Sequence, residues 1–279
     1  MNFANFKCWC MDKIINIIVV FAFLIFILFI IFVAGISNNF QEVCTSGTAL
    51  STKKIGWGIK REDNHKQPDL GATNKRIIDE CNGMAMGNAD KKLIYLTFDL
   101  GYEAGYTEHI LDVLKENNVS AAFFITGHYV NTSEEIIKRM VDEGHIIGNH
   151  TVNHKSMPSC NNETIQKEVM ELHKTIYEKF GYEMKYIRPP KGEYSEATVT
   201  YTNTLGYTTV MWSFAYDDWE ENKQGREEYG KKKILDNLHN GEIMLLHATS
   251  KDNSNILDEV IKEIKNQGYE FKSLDEFER

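Results

Sequence analysis

From Lys91 onward, short apolar runs alternate with segments of helical spacing, and this alternation constrains the fold more than any other feature of the sequence. LIYLTF (93–98), AAFFIT (121–126), HIIGNH (145–150), KYIRPP (185–190), YTTVMWS (207–213) and EIMLLH (242–247) read as strands. The segments at 108–117, 133–144, 162–180, 195–206, 230–240 and 255–268 read as helices. In the longest, Ile165, Val169, Leu172, Ile176 and Phe180 form one stripe, and Gly181 supplies the stop. Thr132 with Glu135 fits a capping box for the second helix. No hairpin signal separates the runs, so the strands are expected to be parallel and covered by helices. This is an α/β fold, built as a barrel or as an open doubly wound sheet. No Gly-x-Gly-x-x-Gly or Walker sequence follows a strand, so nucleotide binding gains no support.

In either architecture, functional groups collect at the C-terminal ends of the strands. Polar residues stand there in this chain: Asp99 after the first run, His150 after the third, Arg188 after the fourth, Asp217 and Asp218 after the fifth, and His247 after the sixth. These strand ends would meet at one mouth.

His150 and His154 in HTVNH have a spacing that brings two imidazoles to one metal ion on a tight turn; the alternative is two unrelated surface histidines. Asp99 suits a general base, a metal ligand or a structural carboxylate, and an unpartnered carboxylate beside an apolar strand would be costly. Arg188, stiffened by Pro189 and Pro190, is a natural partner for it, although an arginine there also suits a surface salt bridge. His247 can donate a proton to a leaving group or serve as a satisfied core histidine. Asp218 can orient that histidine, and Trp219 can wall a sugar site; a solvated turn with one packed indole is the plainer reading of DDW.

The N-terminus differs. Ile14 to Ile36 contains no charged residue and is apolar on all sides. As a helix of about 23 residues it is roughly 34 Å long, enough to cross a bilayer. Lys7 and Lys13 precede it, which places residues 1–13 in the cytoplasm as a short tail and the rest of the chain outside. A cleaved signal peptide is the alternative, but the apolar stretch is long for one and Ala34-Gly35-Ile36 is a poor cleavage site. Residues 37–90, with scattered Gly, Asn and Lys, are expected to form a tether and an irregular lead-in, with Trp57 as a packing anchor. Cys44, Cys81 and Cys160 lie on the outer side; one disulfide is possible among them, and the sequence does not say which pair would form it. A net charge of −9 argues against a nucleic-acid partner.

The motifs in order, TFDxG, HTxxH, RPPxG, DDW and LLH, resemble those of the polysaccharide deacetylases, carbohydrate esterase family 4, over about residues 90–279. TFDLGYEAGYT, GHIIGNHTVNH, RPPKGEYSE, LLHATSKDN and the upstream WGIK are similar to the delta-lactam-biosynthetic de-N-acetylases. Those enzymes deacetylate N-acetylmuramic acid in spore-cortex peptidoglycan on the way to muramic delta-lactam. The resemblance implies a deformed (β/α) barrel over 91–279 that hydrolyses N-acetyl groups of peptidoglycan glycan strands. Asp99 would be the base, Arg188 its holder, His247 the general acid and Asp218 its orienting partner. His150 and His154 would bind a divalent metal, with zinc expected, and Trp219, Lys191 and Tyr102 would contact substrate. A backbone N–H near Lys191 would meet the developing oxyanion.

Two positions depart from the family pattern. Leu100 stands where most members have a metal-ligand Asp, which implies weaker metal affinity. Lys191 stands where many have an aromatic residue, which suits an anionic substrate such as the muramic lactyl carboxylate. The alternatives are a deacetylase of N-acetylglucosamine in another wall glycan and a catalytically inactive wall-binding module. The expected location is the cell membrane, single-pass, with the catalytic domain outside and, by resemblance, on the forespore side.

Overall fold

The structure is a computed structural model that describes residues 50–279. The apolar segment 14–36, the 1–13 tail, the first part of the lead-in and Cys44 lie outside the described residues. Among the described residues, no helix is long and apolar enough to cross a membrane.

The lead-in contributes β1 (Ile55–Gly56) and α1 (Ala72–Glu80). The alternation follows: β2 (Leu93–Leu100), α2 (Thr107–Glu116), β3 (Ala122–Ile125), α3 (Gly127–Thr132), α4 (Glu134–Asp142), β4 (Ile146–Asn149), α5 (Asn162–Phe180), β5 (Tyr186–Ile187), β6 (Glu193–Tyr194), α6 (Glu196–Thr204), β7 (Thr208–Thr209), α7 (Glu227–Asp236), β8 (Glu242–His247), α8 (Lys251–Asn266) and β9 (Glu270–Phe271). One sheet runs β7-β5-β4-β3-β2-β8, with β9 also on β2 and every pairing parallel. β1 pairs antiparallel with β6 outside it.

β2 is buried along its whole length because the sheet is covered on both faces. Its period of two sorts the side chains. Ile94, Leu96, Phe98 and Leu100 join the large core that includes Ile110, Leu114, Val260 and Ile261 from α2 and α8. Leu93 and Tyr95 join a second core with Phe124, Tyr186, Val210 and Ile243. Leu100 therefore does more than fail to replace a metal ligand: it is wholly buried core.

The expected barrel is a half-barrel of parallel strands. The run 207–213 keeps only Thr208–Thr209 in the ladder. Beyond it, Val210 bridges to Met84 and Phe214 to Met244, so the sheet's two ends are joined by isolated bridges. The freed carbonyls of Val210 and Met211 instead accept from Arg188 Nε (3.1 Å) and Nη2 (3.4 Å).

The capping box expected at Thr132 and Glu135 does not form. Thr132 ends α3, its hydroxyl donates to the His128 carbonyl (3.1 Å), and the N-cap of α4 is Ser133 without a side-chain cap bond. α8 begins four residues before the expected start at 255, capped by Ser250, whose hydroxyl accepts from Asn253 N (3.2 Å). α5 ends as expected, with Gly181 left-handed at φ 64°.

From Ile55 onward, parts of the lead-in pack against the domain. Leu70, Ile77, Ile78 and Ala85 share a third core with Tyr194, Val199 and Met211. Trp57 Nε1 donates to the Trp212 carbonyl (2.9 Å), and Trp57 N to the Gly192 carbonyl (2.8 Å).

Candidate active site

Asp99 projects from the penultimate position of β2 toward the mouth of the half-barrel. Its Oδ1 accepts from Arg188 Nη1 at 2.7 Å, and its Oδ2 lies 3.6 Å from His150 Nε2. Arg188 is wholly buried. Its Nη2 donates to Thr97 Oγ1 (3.0 Å), and its guanidinium carbon stands 4.2 Å from the Phe124 ring centroid. Gly148 pairs with Phe124 across β3 and β4, where a Cβ would come within 2.4 Å of that ring. The glycine thus lets the ring sit where it supports the arginine. Burial alone would raise the Asp99 carboxyl, but the charges of Arg188, His150 and His247 hold it below the usual carboxylate range.

HTVNH turns sharply after β4, with Thr151 (φ 66°) and His154 (φ 53°) both left-handed. Such backbone persists only where surrounding contacts hold it, and here Glu168 of α5 supplies them. Its carboxylate accepts from Asn153 N (2.7 Å), Asn153 Nδ2 (2.8 Å) and Lys155 Nζ (2.7 Å), gripping both neighbours of His154. Asn149 adds an Oδ1 that accepts from Thr151 N (2.9 Å). His150 and His154 then face each other with their Nε2 atoms 3.2 Å apart. Two nitrogens bound to one tetrahedral ion at about 2.05 Å would sit about 3.3 Å apart. His150 Nδ1 is 2.8 Å from the Arg188 carbonyl, which makes Nδ1 the donor and leaves Nε2 a lone pair for a metal. Burial lowers both imidazoles, His154 to about 4, so both are neutral ligands near pH 7. The pair therefore fits two ligands of a divalent ion. Among the described residues, no group of three or more His, Cys, Asp or Glu side chains forms a complete metal set.

His247 ends β8, side by side with Asp99 in the ladder. Its Nδ1 donates to Asp218 Oδ1 at 2.7 Å. Asp218 Oδ2 accepts from His247 N (2.7 Å) and Asn253 Nδ2 (2.6 Å), while Tyr216 donates its hydroxyl to Asn253 Oδ1. Burial would lower the imidazole, but Asp218, and then Asp99, raise it above the usual histidine value. Asn253 and Glu168 were not singled out from the sequence. Both are polar residues on helices, and only burial and partners distinguish them from solvated ones.

Lys191 is left-handed at φ 61° between Pro190 and Gly192. Gly192 is itself at φ 64°, and a Cβ there would meet Trp212 at 2.8 Å and Trp57 at 3.1 Å, so only glycine lets the lead-in close against this turn.

One cavity of about 730 Å³ unites these groups. It is lined by Asp99, His150, His154 and His247, by Tyr102, Lys191 and Trp219, and by Arg61, Trp212, Tyr229, Lys233 and Leu245 among others. Arg188 and Asp218 stand behind the lining. Trp219, about half exposed, meets His247 edge to face with centroids 5.5 Å apart. An ionised carboxylate, two neutral imidazoles and a carboxylate-backed imidazole around one space make a site for hydrolysing a polarised carbonyl compound.

Residues 86–210 match the polysaccharide deacetylase family, a span that ends before Asp218 and His247. The chain is 43% identical over 229 residues to the Bacillus subtilis peptidoglycan-N-acetylmuramic acid deacetylase PdaA, covering 82% of this chain and 87% of that protein. The solved structure of PdaA, described as a family 4 carbohydrate esterase, superposes with a TM-score of 0.80 over 82% of this chain and 98% of that one. A Bacillus cereus peptidoglycan-N-acetylglucosamine deacetylase is 33% identical, covering 68% of this chain and 90% of that protein.

Proposed function

Because this chain belongs to the polysaccharide deacetylase family, carbohydrate esterase family 4, and is a hydrolase of N-acetyl amide bonds, we propose that it deacetylates N-acetylmuramic acid in peptidoglycan. The likeness to PdaA carries the choice of sugar. Two finer parts of the proposal have separate grounds: motif resemblance supports a product that leads to muramic delta-lactam in spore cortex, and the uncharged apolar stretch 14–36 with Lys7 and Lys13 before it supports a membrane anchor with the catalytic domain outside.

Family 4 deacetylases are generally metal-dependent, and His150 and His154 would hold a divalent ion here. When bound, that ion supplies Lewis-acid polarisation of the acetamide and a lowered pKa for the attacking water. Asp99, ionised and oriented by Arg188, takes a proton from the water that attacks the acetamide carbon. The backbone N–H at Lys191 donates to the developing oxyanion. His247 enters as imidazolium, stabilised by Asp218, and gives its Nε2 proton to the amine as the C–N bond breaks. Acetate and the free amino sugar leave. Lys191 pairs with the lactyl carboxylate, Trp219 and Tyr102 wall the sugar, and Leu245 and Trp212 supply apolar surface.

The test is acetate release by purified protein from peptide-free peptidoglycan glycan with added zinc or another divalent ion. Release from muramic residues, with N-acetylglucosamine oligomers poorly used, is expected. Preferential use of the oligomers would favour the second reading, an N-acetylglucosamine deacetylase like the Bacillus cereus relative. Retained glycan binding without acetate under any metal would favour an inactive wall-binding module. Lys191→Ala is expected to impair muramic substrates more than N-acetylglucosamine oligomers.

A further inference from the structure

We propose that Arg61, Tyr229 and Lys233 form an anion subsite in one wall of the cavity, which takes a carboxylate of the glycan flanking the sugar that reacts at Asp99. The proposal rests on the deacetylase reading above and adds a second point of charge recognition to it.

Arg61 reaches the cavity from the lead-in, immediately after the WGIK segment. Its Nη2 donates to the Ala215 carbonyl at 2.5 Å, and its guanidinium carbon lies 5.8 Å from the Phe214 ring centroid. These contacts fix the group and leave its other N–H donors without a hydrogen bond among the described residues. Lys233 of α7 holds its Nζ 5.4 Å from the Tyr229 ring centroid. Arg61, Tyr229 and Lys233 all line the cavity, and the Tyr229 ring is held by Arg226, whose guanidinium carbon lies 4.8 Å from its centroid.

Neither cation has a carboxylate within ion-pair distance among the described residues. Other basic side chains of the domain, such as Lys54, Lys138, Lys179, Lys231 and Lys262, do. The acid of this wall, Asp217, is already occupied by Arg226 (3.2 Å), Lys223 (3.8 Å) and the Tyr229 hydroxyl (3.0 Å). The wall thus carries uncompensated positive charge in a chain whose net charge is −9. Two cations of the cavity lining without a carboxylate partner fit an anionic group of a bound glycan. Lys191 lies elsewhere in the lining, where its charge bears on His154. A cavity of about 730 Å³ is larger than one monosaccharide needs. Lys191 would therefore read the reacting sugar, and Arg61 with Lys233 a flanking unit. The flanking carboxylate has two sources in peptidoglycan: a lactyl group without peptide, or a peptide stem.

The test uses the full chain with Arg61→Gln, Lys233→Gln and the double variant. Substrates are peptide-free glycan, the same glycan with its carboxylates amidated, and glycan carrying peptide stems. On acidic glycan the double variant is expected to raise KM about tenfold or more, the loss of a charge-assisted hydrogen bond, with kcat within about twofold. On amidated glycan its KM should match wild type. A KM rise confined to peptide-free glycan assigns the lactyl source, and one confined to stem-bearing glycan assigns the stem; either supports the subsite. Unchanged KM, or an equal rise on acidic and amidated glycan, overturns it. If wild type releases no acetate at all, the functional reading has failed. Calorimetric binding of acidic against amidated glycan to wild type and double variant then decides the subsite by the same comparison.

Discussion

Asp99 and Arg188 are 89 residues apart in sequence and 2.7 Å apart in space, and the guanidinium in that pair has no solvent exposure. Asp99→Asn removes the base and leaves a buried cation unbalanced. Acetate release should fall by about 10²–10⁴-fold, and stability by about 3–5 kcal/mol, both read on one preparation by turnover and by denaturant unfolding. The folded-state carboxyl is lowered, so its contribution to stability is present above the ordinary Asp range and is lost as pH falls through the lowered value. The share of the acid-side loss of stability that Asp99 contributes should therefore be absent in the variant.

The pair of Asp218 and His247 sets the alkaline side of activity. Because Asp218 helps raise the imidazole, the alkaline limb of kcat/KM should lie above the ordinary histidine range. Asp218→Asn should move that limb to lower pH. A limb that stays in place in this variant would remove His247 as the general acid.

Glu168 holds both neighbours of His154, so its effect should appear in metal binding before chemistry. Glu168→Ala is expected to weaken zinc binding by about 10–100-fold in calorimetric titration. His154→Ala should abolish the zinc-induced rise in melting temperature. If Glu168→Ala bound zinc as wild type does, the loop would be self-supporting.

Glu242, at the start of β8, makes a different prediction. It is fully buried, its Oε1 has no hydrogen-bond partner, and burial raises its carboxyl well above the normal range. An acid with a raised folded pKa binds its proton more tightly in the native state, so stability falls as pH rises above the unfolded value. Glu242→Gln should therefore gain melting temperature relative to wild type as pH rises from about 5 to 8. A difference that stays constant with pH would mean that Glu242 does not titrate in this way.

Much of the candidate site was legible because most of its residues stand where apolar runs stop, with Asp218 farther along the loop after β7. Asp99, His150, Arg188, Asp218 and His247 were all found that way, and all but the two supporting residues, Arg188 and Asp218, line the cavity. Glu168, Asn253 and Arg61 were not. On paper Glu168 is one acid among several on an amphipathic helix, and Asn253 is one polar residue in a helix's first turn. Arg61 stands in a segment without periodicity, where nothing local tells a packed arm from a loose tether.

The order of strands and helices, the parallel sheet and the polar residues at the strand ends were determined by the sequence alone, since periodicity and chain direction are local properties. Tertiary structure decided which of those residues touch, which carboxylates are neutralised and which cations are left unpaired. Those outcomes depend on distances between residues far apart in the chain and on how much water is excluded between them, and neither is encoded in any short stretch.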